Sequence, residues 1–318
     1  MLKQLTLFVL LTVTFSTFSQ SEEHTIAFYN VDNLFDTLDT KDKNDAEFLP
    51  DGKNNWNSEK YNTKIQHINK VFGEFTSPLI IGVCEIENKQ VVVDIVNGGA
   101  LKGTHGVVHT ESLDKRGIDN AIIYDSTELT LLEDGVVRFQ MPEGSSPSRD
   151  IVWAKFSRKK EVIYAMVNHW PSRRGGQDAS DSKRLIAATA GKKFIDSLLA
   201  ADKNVQIVFM GDLNDYPENN APKLITKTLC TMIRAESGQF GGSYNYRGEW
   251  GILDHIMVSK NFHKKKGVNV ISKSGKIHSP KFLLSEYKGN TVPFRTFGGG
   301  NYLNGYSDHF PVSIKVEF

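Results

Sequence analysis

Oxygen-bearing side chains stand at the ends of two apolar runs in the first third of this sequence. The run "IAFYNVDNLFD" carries Asn30 and Asp32, and the run "LIIGVCEIEN" carries Glu85. Carboxylate and amide oxygens are the ligands that Mg²⁺ and Ca²⁺ prefer, whereas the cysteines and scattered histidines lack the spacing of a zinc site. These three residues therefore predict a site for a divalent cation.

Polar residues also stand at the ends of four apolar runs nearer the C-terminus. They are Asn168 and His169 in "VNHWPSRRGG", Asp212 and Asn214 in "FMGDLND", Asp254 in "GILDHIMVS", and Asp308 and His309 in "GYSDHFPV". Two histidines suit the transfer of protons around one bond, because imidazole titrates near neutral pH. These motifs indicate acid–base chemistry close to the cation.

Two arginines lie four and five residues after the first of these histidines. Arg173 and Arg174 suit a phosphate clamp, because a guanidinium binds phosphate oxygens through two parallel hydrogen bonds. A cation offsets charge on the phosphoryl oxygens, while a base activates water and an acid assists the leaving group. The combination predicts hydrolysis of a phosphate ester. The alternative is that these arginines, with Lys183 and Arg184, form a solvated loop and helix start.

Each residue taken alone also has a structural explanation. Asn and Asp are common at strand ends, where they hydrogen-bond to the nearby backbone. Asp308 and His309 could form a polar pair, and Glu85 could lie at a solvated edge. The agreement of several independent motifs favours the chemical interpretation.

Short runs rich in Val, Ile, Phe and Tyr predict the strands that carry these residues. The predicted strands are 24–29, 79–84, 121–124, 151–156, 162–167, 205–210, 253–258 and 312–318. Apolar stripes predict amphipathic helices over 61–75 and 182–200, and polar composition predicts long surface loops over 37–57 and 272–300. Strands interspersed with a few helices predict an α/β sandwich, in which sheets pack together with helices outside.

The composition is that of a globular protein. The chain has 318 residues, is 39% hydrophobic and 24% charged, and has a formal net charge of +1. This charge gives no global field that attracts a polyanion, so affinity for phosphate has to come from a local patch. Cys84 and Cys230 could pair in an exported protein, or Cys84 could be a buried free thiol.

The N-terminal segment has the layout of a signal peptide. Lys3 precedes an apolar run that ends in small polar residues, which predicts a cleavable signal over 1–19. A buried first strand or a retained anchor is the alternative. No later segment has the apolar length of a membrane helix, so we expect a periplasmic or secreted protein without a stable membrane anchor.

In order along the chain, these motifs resemble the endonuclease/exonuclease/phosphatase superfamily. The pairing of "GDLND" with a later "SDHFPV" is specific, and "RGID" at 116–119 with "NHWPSRRGG" resembles a bacterial exported branch. The resemblance covers the chain from Asn30 to Val312. It implies one catalytic domain over 20–318 with a deoxyribonuclease-I-like, four-layer α/β sandwich: two packed, mainly antiparallel β-sheets flanked by helices.

The resemblance also implies a role for each motif residue. The ligands expected around Mg²⁺, with Mn²⁺ or Ca²⁺ as alternatives, are Asn30, Asp32, Glu85 and Asp308. The residues expected to be catalytic are His169, Asp212, Asn214, Asp254 and His309. The residues expected to bind phosphate are Arg116, Asn168, Arg173 and Arg174. His309 is expected to deprotonate the attacking water while Asp254 holds its imidazole, with Asp212 as the alternative base. Asp119 is expected to orient His169.

The function expected first is that of an exported endonuclease or other nuclease, with a phosphate-ester substrate such as DNA or RNA. His169 has its counterpart in the deoxyribonuclease-like branch. The alternative is a phosphatase or phosphodiesterase for a lipid headgroup, sugar phosphate or nucleotide. A non-catalytic binding module is less favoured, because the motif residues are intact. No protein partner is predicted.

Overall fold

The computed structural model describes residues 22–264 and 267–318 of the chain, so the predicted signal peptide over 1–19 lies outside the described residues. The helices are α1 (Ser58–Phe72), α2 (Lys89–Asn97), α3 (Gln177–Ala201) and α4 (Asn220–Thr226). The strands are β1 (Glu23–Leu34), β2 (Pro78–Ile86), β3 (His105–His109), β4 (Asp119–Asp125), β5 (Thr130–Val137), β6 (Ile151–Arg158), β7 (Glu161–His169), β8 (Gln206–Asp212), β9 (Leu229–Thr231), β10 (Tyr244–Tyr246), β11 (Glu249–Gly251), β12 (Asp254–Ser259), β13 (Asn269–Val270), β14 (Lys276–Ile277), β15 (Leu284–Tyr287), β16 (Asn290–Pro293), β17 (Phe297–Gly298), β18 (Asn301–Tyr302) and β19 (Val312–Glu317).

Two large sheets form the centre of the protein. The first has the order β13-β19-β1-β2-β4-β3, with β14 also paired to β19, and the second has the order β5-β6-β7-β8-β12-β9. Within them β1 pairs parallel with β2, β7 pairs parallel with β8, and the other described neighbours are antiparallel. Helices α1 and α2 contact the first sheet and α3 contacts the second. The predicted sandwich of mainly antiparallel sheets is confirmed.

The two sheets pack closely at β2, β7 and β8. Gly82 lies on β2 where an added Cβ would be 2.8 Å from Val167 Cγ2 and 2.9 Å from Met210 Sδ. A larger residue would therefore force the sheets apart. Buried Val, Ile, Leu and Phe side chains from both sheets form the core around this contact, and burial of this apolar surface is the main force that holds the layers together.

The predicted loops contain more structure than their composition suggests. Trp56 in the first is fully buried, and its indole Nε1 donates to the Phe35 carbonyl at 2.8 Å. The second contains β14, the β15–β16 hairpin and β17. Cys84 and Cys230 are free thiols. Among the described residues, no helix combines the length and apolarity needed to cross a membrane.

Candidate active site

Irregular strand ends direct the first site residues into a cleft. The pairing register of β1 and β2 shifts between Asn30 and Leu34, and that of β2 and β4 shifts between Cys84 and Ile86. Within the second shift Glu85 has a φ of 62°, a left-handed conformation that non-glycine residues rarely adopt. Such bulges turn a side chain out of its regular alternation, and strained backbone clusters at functional sites.

Asn30 joins the two sheets at the centre of this site. Its amide Nδ2 lies 3.1 Å from Asp212 Oδ2 on β8 and 3.3 Å from Glu85 Oε1 on β2. Its Oδ1 accepts a hydrogen bond from the backbone N–H of Asp32 at 2.9 Å. The second oxygen of Glu85 accepts from the backbone N–H of Asn33 at 3.1 Å. The predicted ligands Asn30 and Glu85 therefore meet, and Asp212 joins them.

These residues fit a divalent cation. Glu85 and Asp212 present carboxylate oxygens that both lie 3.6 Å from His169 Nε2, so the two acids converge on one region. Oxygen donors of this kind suit Mg²⁺ or Mn²⁺ better than softer metals. The acidic centre at Glu85 is where such an ion would be held.

Asp32 and Asp308, the other predicted metal ligands, lie beside this centre and are each held by a protein donor. The Asp32 carboxylate accepts from the backbone N–H of Thr296 at 3.1 Å. Asp308 accepts a short hydrogen bond from the Arg295 guanidinium. Burial, together with the charge of Asp308, raises the pKa of Asp32 to about 7, and the ammonium of Lys64 opposes this increase.

His309 is held in place by Asp254. Its Nδ1 lies 2.7 Å from Asp254 Oδ2, and its Nε2 faces Asp212 Oδ2 at 3.8 Å and Asp308 Oδ1 at 3.9 Å. Burial alone would lower the pKa of His309, but the carboxylates of Asp254 and Asp212 outweigh it and raise that pKa well above its usual value. The imidazole is therefore charged near neutral pH.

The pKa of His169 is shifted in the opposite direction. Burial lowers its pKa well below the usual value, and the cations Arg149 and Arg116 lower it further, so this imidazole is neutral. Its Nδ1 is buried without a hydrogen-bond partner among the described residues. Since Nε2 faces two carboxylates, the geometry favours the tautomer with its proton on Nε2.

The expected partner of His169 lies elsewhere. Asp119 accepts from the backbone N–H of Ser112 at 2.9 Å and lies 3.1 Å from Nε2 of His109. As a correction, Asp119 therefore orients His109 and not His169. The two histidines were not distinguishable in sequence, because the contact depends on how β3 pairs with β4.

Asp212 is positioned by the turn that follows β8. The backbone N–H of Asn214 donates to Asp212 Oδ1 at 2.8 Å, and the Asn214 amide donates to the Trp170 carbonyl at 3.1 Å. Burial raises the pKa of Asp212 to about 7; His309 opposes this increase, and Asp254 adds to it. A carboxylate with this pKa can accept a proton near neutral pH.

The cleft over these residues has a volume of about 640 Å³ and is lined by Arg116, Arg173 and Arg174 as well as by both histidines. The Arg173 guanidinium lies 4.1 Å from the centre of the Tyr216 ring. The predicted phosphate-binding arginines therefore share one cavity with the acidic centre.

The prediction that Asn168 binds phosphate is wrong. It is fully buried, and its amide donates to the Met210 carbonyl at 3.1 Å and accepts from the Trp170 indole at 3.2 Å. Both ends of the amide are used by the protein. Asn168 therefore positions the neighbouring strand ends and does not face the cleft.

Some residues near the site were missed from sequence. The ammonium of Lys64 is buried and donates to Thr296 Oγ1 and to the Tyr306 carbonyl, which fixes the segment before Asp308. A usable signal was present, because a lysine lies on the apolar stripe of α1 beside Ile68. No comparable signal marked Arg149, Tyr216 or Tyr244, whose ring centre lies 4.8 Å from that of His309.

The cleft thus brings two acids, an amide, two histidines and three arginines together on a layered α/β sandwich. The chain belongs to the endonuclease/exonuclease/phosphatase family, whose sequence pattern matches residues 25–318. Members of this family hydrolyse phosphoesters. None of the curated proteins matches the chain in sequence.

Solved structures share the fold. A functionally unknown conserved protein from Enterococcus faecalis V583 has a TM-score of 0.58 at 17% identity, with coverage of 92% of this chain and 98% of its own. A mannosyl-6-phosphatase from Bacteroides thetaiotaomicron VPI-5482 has a TM-score of 0.57 at 17% identity, with coverage of 93% and 100%. Truncated TDP2 from Caenorhabditis elegans has a TM-score of 0.59 at 13% identity, with coverage of 93% and 98%. At these identities the likeness is one of fold.

Proposed function

We propose that this protein is a divalent-metal-dependent phosphodiesterase, and specifically an exported nuclease. The observation that carries the proposal is a pair of histidines whose pKa values are shifted in opposite directions and whose rings face one carboxylate. His169 Nε2 and His309 Nε2 lie 3.6 and 3.8 Å from Asp212 Oδ2. One charged and one neutral imidazole can donate to different oxygens of the same phosphate. Export rests on the signal-peptide pattern of residues 1–19.

Each group has a defined task in this proposal. A bound Mg²⁺ or Mn²⁺ would be held by Glu85 beside Asn30, and it would supply positive charge that offsets the charge on the phosphoryl oxygens. Asp212 accepts the proton of the attacking water, because its pKa is raised to about 7. His309 donates from Nε2 to the leaving oxygen, because its raised pKa keeps it charged. This assigns the base to Asp212, the alternative left open by the sequence.

A phosphatase is the second candidate. The three cleft arginines also suit a dianionic phosphomonoester, and the net charge of +1 gives no broad basic face for a long polyanion. The fold similarity to a mannosyl-6-phosphatase adds support for this candidate.

The two candidates are separated by a substrate panel. Plasmid DNA, RNA, bis-p-nitrophenyl phosphate and p-nitrophenyl phosphate are incubated in parallel with Mg²⁺, Mn²⁺ or Ca²⁺. A nuclease nicks the plasmid or degrades the RNA and cleaves the diester faster than the monoester. Turnover of the monoester alone would reject the nuclease and support the phosphatase. N-terminal sequencing of protein from the periplasm or medium tests export, which predicts a start near Gln20.

A further inference from the structure

Two hairpins near the cleft carry tips with the same pattern, a tyrosine followed by a cation and a glycine. Strands β10 and β11 are joined through "YRG" at 246–248, and β15 and β16 through "YKG" at 287–289. In each, a two-residue loop of a cation and a glycine follows the tyrosine. The cations Arg247 and Lys288 have φ values of 55° and 51°, and both glycines have positive φ, as a type I′ turn requires.

The cations are not the residues that this turn favours. The first loop position of a type I′ turn prefers Asn, Asp or Gly, because a longer side chain is disfavoured at positive φ. Each cation instead lies over the tyrosine before it, with Arg247 5.1 Å from the Tyr246 ring and Lys288 5.3 Å from the Tyr287 ring. The turn geometry alone gives no reason for two tyrosine–cation pairs.

Both tips line one cavity. It has a volume of about 1040 Å³ and lies beside the catalytic cleft, with which it shares Tyr244, Tyr246 and Asp308 as lining residues. Tyr246 and Tyr287 are 55% and 62% exposed, so large aromatic surfaces remain uncovered here. A substrate with its phosphate in the cleft can therefore extend directly into this cavity.

We propose that the second cavity is a subsite for the nucleotide next to the scissile phosphate of a single-stranded nucleic acid. This rests on the proposed function. The tyrosines offer stacking faces that accept any base, and Arg247 and Lys288 offer charge to the next backbone phosphate. The volume is slightly above the roughly 300–1,000 Å³ typical of ligand pockets, which leaves room for one or two nucleotides.

The test uses substitutions that keep the turns intact. Arg247→Asn with Lys288→Asn removes both charges and creates Asn-Gly loops, which favour this turn. Tyr287→Ala removes one stacking face, and Tyr287→Phe retains it. A matched control is Lys159→Asn, because Lys159 also has a positive φ, 55°, in the two-residue turn between β6 and β7, away from both cavities.

The readout is the ratio of kcat/KM for single-stranded tetrathymidylate to kcat/KM for bis-p-nitrophenyl phosphate. The double Asn variant and Tyr287→Ala are each expected to lower this ratio about tenfold, mainly through KM, whereas Tyr287→Phe and Lys159→Asn retain it. An unchanged ratio in both test variants would overturn the subsite. A selective loss on a sugar phosphate, with no effect on tetrathymidylate, would also overturn it. If the unsubstituted protein cleaves no diester, the proposed function fails instead.

Discussion

Replacing Asp254 by Asn tests how much of the chemistry depends on the charge held on His309. Asp254 Oδ2 lies 2.7 Å from His309 Nδ1, and the other carboxylate oxygen is buried with no hydrogen-bond partner among the described residues. The charge of Asp254 is therefore directed at one imidazole. Hydrogen bonds to charged groups contribute about 1.5–3 kcal/mol, so we expect kcat at pH 7 to fall about 10- to 150-fold.

The assay is a double-mutant cycle on bis-p-nitrophenyl phosphate with saturating Mg²⁺ or Mn²⁺. His309→Ala is expected to lower kcat by about 100-fold or more, as removal of an acid–base group usually does. Because Asp254 acts through His309, the double variant should be no more than about threefold slower than His309→Ala. Losses that multiply would refute this reasoning, as would a loss below threefold for Asp254→Asn. Thermal unfolding of each variant controls for folding.

Two further predictions concern stability. Burial, aided by two nearby lysines, lowers the pKa of His278 from 6.5 to about 3. Below pH 6.5 the unfolded chain therefore binds a proton that the folded protein does not, and the free energy of unfolding falls as the pH falls. At pH 5 this costs about 2 kcal/mol, so His278→Gln should lose about that much less stability than the parent between pH 7 and pH 5 in urea unfolding. Parallel curves for His278→Gln and the parent would exclude the effect. Gly82→Ala should destabilise the protein by about 1–3 kcal/mol, because its Cβ would meet Val167 at 2.8 Å, and an unchanged urea midpoint would argue against the close packing of the sheets.

Much of the site could be predicted from sequence because its residues follow recognisable strands. Asn30, Glu85, His169, Asp212 and His309 each lie at or near the end of a run whose β-branched and aromatic residues indicate a buried strand. Packing the two sheets brings these ends together. The pattern thus identified the residues, and the resemblance supplied their grouping.

Contacts between distant segments could not be read from the pattern. Asn30 and Asp212 are 182 residues apart and meet only because β1 and β8 lie in facing sheets. The expected link from Asp119 to His169 failed for the same reason, since the pairing of β3 with β4 places His109 beside Asp119.

Helix α2 was not predicted from the sequence. The sequence "KQVVVDIVN" of α2 is rich in β-branched residues and does not indicate a helix. It forms one because the Asn88 side chain accepts from the backbone N–H of Val91 at 3.1 Å and caps its start. Its Val and Ile side chains then pack into the core beside the first sheet. Tertiary burial outweighs the weak intrinsic propensity.

Dependence on a divalent cation held by Glu85 tests the central claim most directly. Hydrolysis of bis-p-nitrophenyl phosphate is measured against Mg²⁺ or Mn²⁺ concentration after EDTA treatment, for the parent protein and for Glu85→Gln. We predict no turnover in EDTA, full recovery on adding metal, and at least about a tenfold higher metal requirement for Glu85→Gln, because the amide lacks the carboxylate charge. Full turnover in metal-free buffer, or the same metal dependence in both proteins, would contradict the account.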